Sequence, residues 1–545
     1  RRVTEPRPEL VVRGEILVEA RAGVVQRAEA LAIGGGRVVA VGAGADVLPM
    51  AGPATRVVDA RESAVIPGLH DFHVHLVGLA RARSGVRLDD AADGAEVAER
   101  VRRAARSTER RQWITGRGWS EAQLSAGHAL AELEAAAGDR PAFLRSHDGH
   151  SAWASGAARR IAGLSAATAD PAGGRIERDV HGQPTGILRE TALEAVAVHE
   201  PRLQGPALRP FLEATLRDLA ALGITGASEA GDYTDDNGTG TDAALGDSAS
   251  TLLDLGELVD GRLRLTIGIP ADAIPAASAR GFRTGDAIGA RRSMRFGWAK
   301  EYADGALGSG TAALFEPRTC GEGGVGIMRL RDAELDALLD SARAAGIGVA
   351  IHAIGDRAAA AVLDAIERAP VRDDGVALDR MEHLQLVRAA DRARLAPLGI
   401  VASVQPIHAA ADRDLVESCW DGRQADAYAW RSLRDAGALL AAGSDAPVES
   451  VDPWLGLFAA VHRRLPSDPR DDWRPSEALT MVEALEAYTL GPARAIGASD
   501  EGHLRRGAKA DLAVLSVGLG PLLDGSADVT AVRSQVTLVD GAAVS

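Results

Sequence analysis

Short runs of β-branched and aliphatic residues, bounded by glycine and proline, recur along this chain with helix-like segments between them. The runs before His352 (GIGVAI), from Gly399 to Gln405 (GIVASVQ) and before Asp445 (ALLAAGS) are almost unbroken by polar residues. That is the pattern of parallel strands buried on both faces. Between them, Asp332–Ala345 carries apolar residues at helical spacing ahead of Gly346, and Ala358–Arg368 turns Leu363 and Ile366 inward. The spacing is regular: 31 positions separate His352 from His383, and 62 separate His383 from Asp445. A (β/α)8 barrel of ~250 residues allots ~31 residues to each strand-helix unit. Counting back from Asp445 on an eighth strand places His383 on the sixth, His352 on the fifth, Lys300 on the fourth and His73 with His75 on the first.

The two ends of the chain read differently. LVVRGEILVEA, AEALAIGGGRVVAVG and TRVVDARESAVIP are short strands punctuated by turns, and the tail repeats that character in ADLAVLSVG and VTAVRSQVTLVDGAAV. The expected architecture is an α/β TIM barrel over residues 67–496, with a small domain built from 1–66 and 497–545. From His75 to Lys300 the chain spans 225 positions, where three units need only ~93. About 130 residues are therefore inserted after the first strand, and the span 79–203 is the expected place for this lid or subdomain.

Composition narrows the class. At 545 residues with 46% hydrophobic content the chain exceeds one ordinary domain. No apolar run reaches the ~18 residues of a membrane span, and the formal charge of -15 argues against a nucleic-acid partner. Cys320 and Cys419 are the only cysteines; so few predict reduced thiols rather than a disulfide framework. The opening RRVTEPRPEL has no apolar core of a signal peptide, so a cytoplasmic location is expected.

The chemistry sits at the ends of the apolar runs. His73 and His75, two apart on a strand, point to one side and can reach one ion. Lys300, His352, His383 and Asp445 each sit at a strand exit, where barrels of this type gather functional groups. Alone, an H-x-H pair, a strand-end lysine or an aspartate before Ala-Pro is as easily structural; together, at barrel spacing, the six read as a metal site of a two-metal hydrolase. Asp71 lies two before His73 and reads either as a partner of the ligands or as a strand-end polar group. His70, His147 and His150 read as structural or substrate-facing. In the insertion, Trp119, Asp148, His150 and Trp153 are candidates for substrate contact, and the tryptophans fit the insertion's own core equally well.

PGLHDFHVH (67–75), KEYADGALGS (300–309), HAIGDRA (352–358), MEHLQLV (381–387), SVQPIH (403–408) and GSDAPVE (443–449) together resemble the amidohydrolase superfamily. The branch they are most similar to includes the N-substituted formamide deformylases. This resemblance implies that the two chain ends pair as a β-sandwich, with Gly502–Leu512 (GHLRRGAKADL) resembling its usual entry, and that the insertion helps to cover the site. It also implies two divalent ions, zinc by their ligand types: His73, His75 and Asp445 around the first, His352 and His383 around the second, and Lys300, carboxylated on its amine, spanning both. A single ion with unmodified Lys300 is the alternative. The implied reaction is cleavage of a non-peptide carbon-nitrogen bond, an N-formyl or N-acyl amide of a small molecule, by metal-activated hydroxide with Asp445 as proton shuttle. Hydrolysis of a cyclic amide, carbamate or ester at the same site is the runner-up, ahead of a deaminase or a non-catalytic binding protein. A homodimer is implied by resemblance alone. Two departures stand out: Gly310 where many relatives carry arginine, and Glu301 where an apolar residue is usual.

Overall fold

The computed structural model describes residues 8–107, 112–124, 127–146, 151–171, 174–201, 203–231, 245–321, 323–370 and 378–545. The chain divides into two compact units, one comprising residues 1–75, 213–232 and 240–545 and the other 76–212 and 233–239.

The first unit is organised by eight parallel strands in sequential order: β1 (Leu69–Val74), β2 (Ile224–Glu229), β3 (Arg264–Pro270), β4 (Met294–Tyr302), β5 (Gly348–Ala353), β6 (Arg380–His383), β7 (Val401–Val404) and β8 (Leu439–Ala442). Nearly every residue in these strands is buried, which is why the sequence shows unbroken apolar runs rather than alternation. Helices Asp332–Ala345 and Asp356–Arg368 flank β5, the first ending at Gly346 with φ 67°. The ring is nearly closed: β8 meets β1 through Asp445 N to His73 O at 2.7 Å and His75 N to Ala446 O at 2.8 Å. Gly443 makes that approach possible, since a Cβ there would lie 2.3 Å from His73 N.

The strands from the two ends form one hydrogen-bonded sheet of seven, in the order Ala542–Ala543, Ser534–Val539, Leu512–Leu515, Arg56–Pro67, Leu10–Arg21, Val24–Gly34, Arg37–Gly42. Where a sandwich of two sheets is expected from the resemblance, the ladder is continuous, because Leu512–Leu515 pairs antiparallel with Arg56–Pro67 and so joins the C-terminal strands to the N-terminal ones. Strand Arg56–Pro67 runs through Gly68 directly into β1. Two largely buried ion pairs tie the segment leading into strand Leu512–Leu515 to the barrel strands: Arg264 to Asp511 at 2.8 Å, and Arg295 to Glu501 at 2.5 Å.

The cysteines correct an expectation. Cys320, in the long connection after β4, and Cys419, at the end of helix Arg413–Cys419, form a disulfide across a sequence separation of 99. Thr319 N donates to Cys419 O at 2.9 Å beside it. Barrel closure brings the two segments together, and nothing in their spacing along the chain announces it.

The second unit contains a six-stranded sheet ordered Gly174–Arg178, Pro184–Glu190, Ser151–Ala154, Ala142–Ser146, Ile114–Trp119, Val86–Arg87. Helices Gly94–Ser107 and Gly127–Ala137 cover its core. No helix among the described residues is long and apolar enough to cross a membrane.

Candidate metal centre

Three local irregularities build the site at the carboxyl ends of the barrel strands. Along β1 the register against β2 shifts, so that Ala227 to Glu229 faces Asp71 to Val74. This bulge lets Phe72 pack on Trp298, ring centroids 5.5 Å apart, while His73 and His75 line the layer above. On β6, strict alternation would send Glu382 and His383 to opposite faces. His383 instead has φ 74° and Leu384 φ 45°, and both Glu382 and His383 approach His73. Asp445, at φ 60°, is the third.

Each imidazole is anchored by one ring nitrogen. His75 Nδ1 donates to Gly231 O at 3.0 Å, and His352 Nε2 donates to Gly305 O at 3.0 Å. His73 Nδ1 lies 2.5 Å from Glu382 Oε2, and His383 Nδ1 lies 2.8 Å from Gln405 Oε1. Carbonyl and carboxylate oxygens only accept, so these nitrogens carry the protons. The opposite nitrogens, Nε2 of His73, His75 and His383 and Nδ1 of His352, are thereby set as electron-pair donors. Burial pushes His352 down to about 3 and His383 well below the ordinary histidine value, with the Lys300 charge acting in the same direction on both, which keeps both rings neutral as metal ligands require.

Asp445 joins the rings. Its Oδ1 is 3.2 Å from His73 Nε2 and 3.3 Å from His75 Nε2. Donors on a tetrahedral zinc with bonds of about 2.0–2.1 Å stand roughly 3.3 Å apart, so both separations match the spacing of an ion's ligands, and the three residues' donor atoms lie within 4.8 Å of one another. Its Oδ2 accepts from His408 Nε2 at 3.1 Å. Burial alone would raise the Asp445 carboxyl, but its contacts with His73, His408 and His75 hold it well below the usual range. His383, His408 and Asp445 form a second group with donor atoms close enough to share an ion.

Lys300 ends beside this cluster. Its Nζ is buried, lies 4.7 Å over the Tyr302 ring, and has no acceptor among the described residues. Burial pushes the amine down to about 8. A buried amine with no acceptor among the described residues, beside histidines and the Glu382 and Asp445 carboxylates, fits a metal-binding centre.

Sequence-based candidates fall into separate groups. The structure brings His73, His75, Lys300, His352, His383 and Asp445 to one end of the barrel. Asp71 instead ties the β1–β8 seam, accepting from Ser444 N at 2.9 Å, Ser444 Oγ at 2.6 Å and His73 N at 3.3 Å; burial raises it to about 6. His70 bonds Ser228 Oγ at 3.0 Å and is structural. Trp119 and Trp153 have no exposed surface and lie in the second unit's own core, with Trp119 Nε1 donating to Leu144 O at 2.7 Å. Packing, rather than ligand contact, is what that burial provides. His147, Asp148 and His150 lie outside the described residues. At Gly310, the Arg318 guanidinium fills the space a side chain would take, 1.7 Å from a built Cβ. Sequence reasoning missed His408, Glu382 and Gln405; the first stands in the SVQPIH motif, the second directly before His383.

Residues 56–545 match the Amidohydrolase family. The chain is 31% identical over 499 residues to the protein LONG AFTER FAR-RED 3 of Arabidopsis thaliana, covering 90% of this chain and 84% of that one. It is 29% identical over 508 residues to an N-substituted formamide deformylase of Arthrobacter pascens, covering 90% of each. Among solved structures, an uncharacterized metal-dependent hydrolase from Pyrococcus furiosus superposes with TM-score 0.73 at 26% identity, over 93% of this chain and 98% of that chain.

Proposed function

The chain belongs to the amidohydrolase family, and from that premise we propose that it hydrolyses a non-peptide carbon-nitrogen bond, the N-formyl or N-acyl amide of a small amine. The observation that carries this reading is Lys300 Nζ, buried beside the cluster of histidines with no acceptor among the described residues. An ammonium there would be an unpaired buried charge. Addition of carbon dioxide to the neutral amine, with loss of a proton, gives a carbamate with two donor oxygens and removes the difficulty.

In this reading His73, His75 and Asp445 would hold one zinc ion, His352 and His383 a second, with carboxylated Lys300 between them. Bound there, the ions would supply Lewis acidity and lower the pKa of water from about 15.7 to about 7. The chain's own contribution is orientation and proton transfer. Gly231 O, Gly305 O, Gln405 and Glu382 fix which nitrogen of each ring faces inward. Asp445 takes the proton of the attacking water and returns it to the departing nitrogen, while His408 holds its second oxygen and keeps the carboxylate in line. The similarity to the formamide deformylase of Arthrobacter pascens supports an N-formyl amine as the first substrate to try.

The test combines elemental analysis and native mass measurement, on protein grown with zinc and bicarbonate, with a panel of N-formyl and N-acyl amines, lactones and cyclic amides. Two metals per chain, a mass gain of one carbon dioxide lost in the Lys300→Met variant, and release of formate or a short acid from the amides are expected. Turnover confined to lactones or cyclic amides would overturn the substrate class, and a metal-replete enzyme with plain Lys300 would overturn the bridging role.

A further inference from the structure

Glu382 is fully buried and serves two partners. Its Oε2 lies 2.5 Å from His73 Nδ1, and its Oε1 accepts from Arg380 Nε. Arg380 is itself 2% exposed, with its guanidinium 4.2 Å from the Phe72 ring centroid and 4.7 Å from that of Trp298. Those rings belong to a buried cluster with Ala350, Val401 and Ala441, the layer of barrel side chains beneath the histidines. A buried ion pair is weak evidence for stability, because desolvation cancels most of the attraction and apolar residues of similar volume fill such a space as well. The reason for this pair lies in what Glu382 does with its other oxygen.

We propose that Glu382, held from behind by Arg380, is the positioning residue for His73: it fixes the ring as the Nδ1-H tautomer and sets its tilt so that Nε2 faces His75 and Asp445. This rests on reading the cluster as a metal centre. A carboxylate on the far nitrogen of a ligating histidine both orients the ring and raises the basicity of the ligating nitrogen, and loss of such a partner costs 10–100-fold in metal affinity. Arg380, packed against the Phe72 and Trp298 rings, takes the remaining carboxylate oxygen, so the carboxylate does not rotate away from His73. The left-handed turn at His383 is what allows Glu382 to occupy this place beside a ligand that follows it directly in the chain.

The experiment uses the full chain stripped of metal by a chelator and titrated with cobalt(II), reading the visible d–d bands and the dissociation constant by competition with a chromophoric chelator. Glu382→Gln is expected to weaken the tighter cobalt site 10–100-fold and to alter its band. Because a single change strands the Arg380 charge and can prevent folding, the second variant is R380M with E382M, which fills the space with apolar residues; the same loss of affinity is expected from it, at an unfolding midpoint near that of wild type. Folded variants with wild-type cobalt affinity and an unchanged spectrum would overturn the role. A wild-type chain that takes up no cobalt would remove the metal centre itself, an outcome told apart because it appears before any substitution is made.

Discussion

Replacing Glu501 by glutamine offers a quantitative check on how the end sheet supports the strand that carries Lys300. Glu501 Oε1 accepts from Arg295 Nη2 at 2.5 Å and from Lys509 Nζ at 2.7 Å, and Arg295 lies on β4, five residues before Lys300. Burial alone would raise this carboxyl; the Arg295 and Lys509 charges outweigh it and bring it from the ordinary 4.5 to about 2. A difference of that size corresponds to about 3 kcal/mol, at about 1.4 kcal/mol per tenfold change in proton affinity. The folded value is depressed, so this stability is fully present above pH 4.5 and is lost as pH falls from there toward 2. Urea unfolding of the metal-free protein, followed by tryptophan fluorescence at pH 7 and pH 3, measures it. The wild type is expected to exceed Glu501→Gln by about 3 kcal/mol at pH 7 and by about 1.4 kcal/mol at pH 3, since other titrating groups cancel in the difference. A difference below 1 kcal/mol at pH 7, or one that does not shrink on acidification, would refute the reasoning.

Two further substitutions probe the barrel. Gly443→Ala places a Cβ 2.3 Å from His73 N and 2.9 Å from Asp71 Oδ1, so β8 must withdraw from β1; overpacking of this kind costs about 1–3 kcal/mol, and bound metal per chain is expected to fall with the urea midpoint, whereas wild-type values of both would show that the seam yields freely. Cys320→Ser opens a loop of about 100 residues, whose closure is worth at most about 4.7 kcal/mol in the chain-entropy account; the expected results are a linked Cys320–Cys419 peptide in a non-reducing digest of the wild type and a lower thermal midpoint in the variant, and an unchanged midpoint would show that the bridge contributes nothing.

Much of the barrel was legible in the sequence because burial on both faces leaves a one-dimensional trace. The strand preceding His352 and the strand at Gly399–Gln405 needed only apolar runs and a repeat of ~31 residues to be found. Contacts closed by the third dimension left no such trace. His408 and Asp445 are 37 positions apart, and their bond depends on the helix after β7 turning His408 back over β8. Glu382 was hidden by the alternation rule itself, which assigns it the face opposite His383 and cannot see a positive φ. Trp119 and Trp153 satisfied a pocket's composition and a core's equally, and only their complete burial decided between the two. Cys320 and Cys419 gave a count but no geometry, and the continuous end sheet depended on a pairing between residues 65–67 and 512–514 that no local pattern encodes.

Non-glycine residues disfavour the left-handed region by roughly 1–2 kcal/mol, yet His383, Leu384 and Asp445 all occupy it. Glycine would adopt the same angles without that cost but offers no donor atom, so at two of these three positions the side chain and the backbone make opposing demands. The surrounding structure settles the conflict: Leu384 N is held by Ala353 O at 3.2 Å, Asp445 N by His73 O at 2.7 Å, and His383 Nδ1 by Gln405. Strain kept in place by bonds from neighbouring strands is a sign of function rather than of folding economy. Its location at the end of β6 and just past β8, at two residues that approach His73 from different segments, marks the same centre that the buried Lys300 amine marks from β4. Those two observations are independent, since one is a property of φ and the other of hydrogen bonding, and both point to this end of the barrel as the functional, metal-binding one.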